Sequence, residues 1–121
     1  MVFNLYRYEC SVYNIEYLKL PKVYRLKCNC SDGVEIVFEM HEELLKIREN
    51  TEISIDIGID KKECLERDFC GKAHVVSVTE LEGRFRTVLS IGGLLVVVKN
   101  LVEKPSLEPV QELYVGLSIK K

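Results

Sequence analysis

The sequence has no apolar run long enough to cross a membrane as a helix. Its longest uninterrupted apolar stretch is residues 94–98, whereas a membrane-spanning helix needs about 20 such residues. The start of the chain also lacks the basic segment, the apolar segment and the small-residue cleavage site of a secretory signal. We therefore expect a cytoplasmic protein without membrane contact.

An excess of charge of either sign is lacking as well. Lys and Arg number 17 and Asp and Glu 19, so the net charge is −2 and gives no general attraction to nucleic acid or to an anionic membrane. Hydrophobic residues at 47% and charged residues at 30% are an ordinary balance for a folded chain. There is no repeat, low-complexity tract or Gly/Ser-rich linker. We predict a single domain over residues 1–121.

Residues that perform catalysis or bind metal are few. The chain has two histidines and five cysteines, with no C-x-x-C pair of the kind that brackets a structural zinc. The odd cysteine count favours reduced thiols packed as small apolar side chains, and the alternative is a metal site of Cys28, Cys30 and His41. His74 has no activating neighbour in the sequence, which favours a surface residue over a general base. We expect no catalytic residue, no metal and no cofactor.

Alternation of apolar and polar residues predicts most of the secondary structure. Between residues 51 and 60, Ile53, Ile55, Ile57 and Ile59 alternate with polar residues or glycine. This places the isoleucines on a buried strand face and polar residues such as Asp56 on the face toward water. Similar patterns predict strands at residues 34–40, 85–91 and 113–119, and weaker ones at 3–12, 23–30, 69–78 and 94–99.

Helical periodicity is limited to residues 41–49, where Leu44, Leu45 and Ile47 form a short apolar patch. Many short strands with so little helix indicate a sandwich or a barrel, and closure is favoured because it leaves no exposed strand edge. We therefore predict an all-β fold, a closed antiparallel barrel of about eight strands with one short helical segment.

Tyrosines and basic residues are interleaved in the first third of the chain. Small barrels often bind single-stranded nucleic acid through aromatic side chains set among cations, and Tyr6, Tyr8 and Arg25 are the candidates for such a contact. The same tyrosines are good strand formers whose rings pack in a core with the hydroxyls at its rim. An independent module for single-stranded nucleic acid is therefore one function to test, against a structural role for the tyrosines.

Three segments in the second half of the chain resemble one protein family. They are CGKAHVV at residues 70–76, LSIGGLL at 89–95 and the final strand with its basic end at 113–121. Residues 24–59 match the order and spacing of the family's first hairpins. The chain thus resembles the subunit-8 family of cellular multisubunit RNA polymerases over nearly its whole length. The short connection at residues 60–68 and Cys70, where the eukaryotic form has a long insertion and an aromatic residue, make it similar to the archaeal form.

The resemblance implies a barrel related to the oligonucleotide/oligosaccharide-binding fold. It also implies a non-catalytic accessory subunit of DNA-directed RNA polymerase that docks on the largest subunit and supports assembly and stability in transcription. Nucleotidyl transfer itself would belong to the large subunit. Direct contact of this chain with DNA or RNA stays open.

The predicted hairpin within residues 85–99 carries the residues expected at such an interface. Its paired glycines either form only a turn or leave room for the backbone of a partner. The two leucines that follow are neighbours on a strand, so one points to the core and one outward, and at least one of the valines at 96–98 also faces outward. We predict partner contacts at Gly92, Gly93, Leu94, Leu95 and Val97.

Overall fold

The chain forms a closed barrel of eight antiparallel strands in the computed structural model, which describes residues 5–120. The strands are β1 (Tyr6–Tyr17), β2 (Val23–Cys30), β3 (Glu35–His41), β4 (Glu52–Ile59), β5 (Phe69–Leu81), β6 (Arg84–Ile91), β7 (Leu94–Leu101) and β8 (Glu112–Ile119). Their order around the barrel is β1-β2-β3-β7-β6-β5-β8-β4, and β4 pairs with β1 to close it. The predicted all-β closed barrel is confirmed.

Two strands differ in extent from their predictions. Strand β1 runs to Tyr17, well past the predicted end at residue 12. The pattern ends there because the pairing of β1 with β2 shifts register between Val12 and Asn14. Such a bulge adds a residue and interrupts the alternation from which a strand is recognised. Strand β5 continues to Leu81, past its predicted end at residue 78, and its register shift lies earlier, between Val75 and Ser77. Phe3 and Lys121, the two ends of the predicted pattern, lie outside the described residues.

Side chains that point inward from all eight strands fill the barrel. The four isoleucines of β4 are each at most 4% exposed, as the alternation predicted. The rings of Phe38 and Phe69 meet edge to face across the interior with their centroids 5.9 Å apart, an arrangement that aromatic pairs prefer. The interior is therefore a packed core rather than a ligand cavity.

Asp56 is a correction to the predicted strand face, because it is only 2% exposed although it points out of the barrel. Helix α1 (Lys61–Cys64) contacts β8 and β5, and the residues after it lie over the outer face of β8, where a Cβ atom on Gly116 would meet Arg67. They bring Arg67 to one carboxylate oxygen of Asp56, while Arg7 of β1 binds the other. A charged side chain buried in this way needs such partners.

The predicted helix at residues 41–49 is wrong in position, since helical structure occurs at α1 and in a 3-10 turn at Ser31–Gly33. The buried hydroxyl of Tyr24 donates to the carbonyl of Leu45 and accepts from the N–H of Ile47 at 3.1 Å. Two backbone groups that would take part in the hydrogen bonds of a helix are thus bound by a side chain of β2. No helix among residues 5–120 has the length and hydropathy that a membrane crossing requires.

Tyr24→Phe is expected to lower the free energy of unfolding by about 2 kcal/mol, because it leaves the Leu45 carbonyl and the Ile47 N–H without their partner. Denaturant unfolding followed by circular dichroism measures the effect. Tyr17→Phe is the matched control, since the Tyr17 side chain packs beside Tyr24 but is 67% exposed. Equal stability of the two variants would show that the Tyr24 hydroxyl does not hold the segment.

The cysteines form two disulfides, so the expectation that all of them are reduced is wrong. Antiparallel pairing of β1 with β2 places Cys10 opposite Cys30, and these two are bridged. Cys64 at the end of α1 is bridged to Cys70 in β5. Cys28 is the free and buried thiol, and burial raises its pKa to about 12. Sequence spacing could not reveal the first pair, because strand register creates it.

Candidate functional site

A groove of about 310 Å³ runs over the outer surface of β2, β3, β7 and β6. It is the place where several residues predicted to bind a partner come together. Its lining comprises four cationic side chains, three apolar side chains and one carboxylate: Arg25, Lys27, Arg86, Lys99, Val37, Leu95, Val97 and Glu39. Apolar side chains surrounded by charge are typical of a surface that contacts another protein.

Positive charge in the groove is compensated only along one side. The Arg25 guanidinium binds Glu16 at 2.5 Å and Glu39 at 3.3 Å, and Lys27 lies 3.5 Å from Glu16. Arg86 and Lys99 make no ion pair within residues 5–120, although Lys99 has Glu35 as its cross-strand neighbour. The side of the groove near Arg86 is thus the one that attracts an acidic group of a partner.

The two predicted glycines form the turn that connects β6 to β7. Gly92 and Gly93 have φ values of 55° and 95°, the positive values that a two-residue hairpin turn requires. A Cβ atom on either glycine would meet no atom within 4 Å. The backbone conformation of the turn is therefore sufficient to explain both glycines. The space around them is open, so a partner could also approach there.

The predicted apolar residues of β7 lie at and beside the groove. Val97 is half-buried in the groove between Val96 and Val98, which are 0% and 2% exposed inside the barrel. Leu95 is 39% exposed, and its N–H donates to Glu39 at 2.9 Å. Leu94 is half-buried near the turn, so neither leucine enters the core fully. At least one of the valines at 96–98 was expected to face outward, and Val97 does so.

The three residues predicted for nucleic-acid contact lie on opposite sides of the barrel wall. Tyr6 and Tyr8 are half-buried against the core, and burial raises the pKa of the Tyr8 hydroxyl to about 12. The Tyr6 hydroxyl accepts from the N–H of Ser106 at 2.8 Å. Arg25 points outward into the groove. The structure therefore does not bring these side chains together on one surface.

The residues considered for metal binding or catalysis are also separated. Cys30 is bridged to Cys10, which removes it from the possible set with Cys28 and His41. The Nδ1 atom of His41 accepts from the N–H of Glu43. His74 is exposed and its ring lies 2.8 Å from the Glu112 carboxylate at the surface. Within residues 5–120, no three His, Cys, Asp or Glu side chains are placed to hold a metal ion.

Sequence reasoning did not bring the cations that border the groove together at one surface. Arg86 and Lys99 lie on the two strands of one hairpin, whereas Lys27 lies on β2, far earlier in the chain. They meet because β2 pairs with β3, β3 with β7 and β7 with β6. Each lies at an outward position of its strand, which alternation could have shown. The order of the strands, which makes these positions neighbours, is not contained in the alternation.

Comparisons with known proteins identify the family. Residues 5–121 match the family of the RpbG subunit of DNA-directed RNA polymerase. DNA-directed RNA polymerase subunit Rpo8 of Sulfolobus acidocaldarius is 30% identical over 88 residues, which are 72% of this chain and 73% of that protein. Among solved structures, the cytoplasmic molybdate-binding protein ModG with molybdate bound aligns over 95% of this chain and 96% of its own, with 7% identity and a TM-score of 0.41. That last likeness is too weak to establish a shared fold.

The fold is a small closed β-barrel with a filled interior, so a partner has to be met on its outer surface. This chain belongs to the RpbG family of DNA-directed RNA polymerase subunits. The resemblance to subunit 8 of archaeal RNA polymerase, which the sequence indicated, is thereby confirmed.

Proposed function

We propose that this chain is a non-catalytic accessory subunit of DNA-directed RNA polymerase in the cytoplasm, and that it docks on the largest subunit. The docking surface is the groove over β2, β3, β7 and β6, with the turn at Gly92 and Gly93 and with Leu94 at its rim. In this role the chain supports assembly and stability of the polymerase, and the reacting groups belong to the larger subunits.

The observation that supports this surface is the position of Leu95 and Val97 among cations. Leu95 is a large apolar side chain with 39% exposure in a groove where Arg86 carries uncompensated charge. Burial of such a side chain under a partner contributes free energy in proportion to the apolar area covered. Acidic groups of the partner would select the orientation through Arg86 and Lys99.

The test is affinity purification of the tagged chain from its own host at moderate salt. The wild-type chain is expected to recover the large polymerase subunits. Leu95→Glu is expected to lower that recovery about tenfold or more, because it places a charge in the centre of an apolar contact. Leu44→Glu is the matched control, since Leu44 is 58% exposed and lies outside the groove.

Two outcomes would contradict the proposal at different levels. Recovery of the wild-type chain without polymerase subunits would show that it is not a stable part of the enzyme. Recovery of the polymerase by Leu95→Glu as well as by Leu44→Glu would show that docking uses another surface. Circular dichroism of each variant confirms folding before the recovery is compared.

Nucleic-acid contact is the second candidate function, and the four cations of the groove are the observation in its favour. Single-strand binding also uses aromatic side chains on which bases stack, and the groove contains none. We expect the isolated chain to bind oligonucleotides weakly and without loss on Tyr6→Ala or Tyr8→Ala. Tight, salt-dependent binding that these variants abolish would instead support an independent nucleic-acid module.

A further inference from the structure

Strand β5 extends beyond the strand that pairs with it on one side. Residues Phe69 to His74 pair with β8, and the pairing ends where β8 begins at Glu112. One further contact follows, in which the Val75 N–H donates to the Gln111 carbonyl at 2.9 Å and the Val75 carbonyl accepts from Val110 at 2.8 Å. Beyond this point β5 continues to Leu81 with β6 on its other side.

The result is an open strand edge at the end of β5, one of the places where a strand runs past its neighbour. Within residues 5–120, the backbone of residues 77–81 has no hydrogen-bond partner on the side away from β6. A row of free N–H and C=O groups is a template for another extended segment, because only a second strand matches their spacing. Because neighbouring residues of a strand direct their N–H and C=O groups to opposite sides, about half of the backbone groups in this five-residue stretch are available to an added strand.

The surroundings of this edge combine apolar and polar side chains, with Val78 and Leu81 as the apolar ones on β5. Val78 lines a cleft of about 740 Å³ whose other side is the segment 104–111. That segment contributes three apolar and four polar residues: Pro105, Leu107, Pro109, Lys104, Ser106, Glu108 and Gln111. Leu81 at the end of β5 is 76% exposed. An extended segment along the edge would place an alternate side chain into the cleft beside Val78.

The edge also adjoins the proposed docking groove. Thr79 of β5 is the cross-strand partner of Arg86, and Arg86 lines the groove. A partner that covers the outer face of β6 thus has its backbone within reach of the β5 edge. The outer face of this edge is therefore next to the groove, whereas Val78 lies on the other face with Thr87, its cross-strand partner.

We propose that the free edge of residues 77–81 binds an extended segment of a larger polymerase subunit, which adds to the sheet as a further strand beside β5. This inference rests on the proposed function, because it assumes that the bound segment belongs to another subunit of the polymerase. The occupant is an extended segment with an apolar side chain at the position that faces Val78. Backbone hydrogen bonds would hold it, and the cleft would select its side chain.

Amide hydrogen exchange tests this, measured on the isolated full chain and on the same chain within the purified polymerase. The amides among residues 77–81 that point away from β6 are expected to exchange rapidly in the isolated chain. In the polymerase their exchange is expected to be slower by a factor of about ten or more. The amides of β4, paired on both sides, are the internal control and are expected to be protected in both samples. Unchanged exchange at residues 77–81 in a chain that remains in the polymerase would overturn strand addition and leave the proposed function intact.

A second copy of this chain is the competing occupant. Exchange of residues 77–81 in the isolated chain is therefore measured over a range of concentrations, together with the mass in solution by sedimentation. Independence from concentration is expected. Protection that grows with concentration in step with dimer formation would assign the edge to self-association and overturn the proposal. A chain that purifies without polymerase subunits refutes the proposed function instead.

Discussion

Replacing the buried carboxylate of Asp56 by an amide is expected to lower the free energy of unfolding by about 3 kcal/mol. The Nε atom of Arg7 lies 2.6 Å from one carboxylate oxygen, and the Nε atom of Arg67 lies 3.1 Å from the other. In Asp56→Asn the amide nitrogen faces one of these guanidinium groups, so two donors meet and neither cation retains its counter-charge. Arg67 then loses the contact that holds the segment after α1 over the barrel wall.

Glu9→Gln is the matched control for this prediction. Glu9 lies on β1 near Arg7 and pairs with Lys120, but the two side chains are 47% and 48% exposed. Such a surface pair contributes less than about 1 kcal/mol. Urea unfolding of both variants gives the comparison. If Asp56→Asn were no less stable than Glu9→Gln, the paired guanidinium groups would not be a significant part of the barrel's stability.

Reduction of the two disulfides is expected to have the largest total effect on stability. The bridge between Cys10 and Cys30 joins residues 20 apart and is expected to contribute about 3 kcal/mol. The bridge between Cys64 and Cys70 joins residues 6 apart and is expected to contribute about 2 kcal/mol. The difference arises because a longer closed loop removes more freedom from the unfolded chain. Unfolding with and without reductant measures the sum, and Cys10→Ala/Cys30→Ala measures the first bridge alone.

Thiol titration provides the independent check on the same bridges. In denaturant without reductant, one thiol of the five cysteines is expected to react, because Cys28 is the free one. In the folded chain even this thiol is expected to be inert, since it is buried with its pKa raised to about 12 and the thiolate is the reactive form. Five reactive thiols in denaturant without reductant would show that the cysteines are reduced after all.

Local alternation was sufficient to predict the strands, because a barrel strand has one face in the core and one outside. The isoleucines of β4 show this most clearly. Prediction failed where a side chain from a distant element replaced a local interaction. Residues 41–49 have helical periodicity, yet the Tyr24 hydroxyl binds the backbone of Leu45 and Ile47. Asp56 has the pattern of a surface residue and is buried beneath two side chains from other elements, Arg7 and Arg67.

For the candidate site, Leu95 and Val97 were predicted from their own strand, since adjacent apolar residues cannot all face the core. The cations beside them were not placed there. The predicted hairpin within residues 85–99 already makes the strands of Arg86 and Lys99 neighbours. Lys27, 59 residues before Arg86, joins them because β2 pairs with β3 and β3 with β7. Tyr6, Tyr8 and Arg25 show the opposite error, because they were grouped as one contact. In the barrel, Tyr6 and Tyr8 face the core and Arg25 faces outward.

The amino-acid sequence by itself determined the strands, the all-β class and the family, because periodicity and short motifs are local properties. Tertiary structure alone decided the strand order, the two disulfides, the burial of Asp56, the groove and the free edge of β5. The physical reason is that these features depend on strand register, and register results from packing all eight strands around one core.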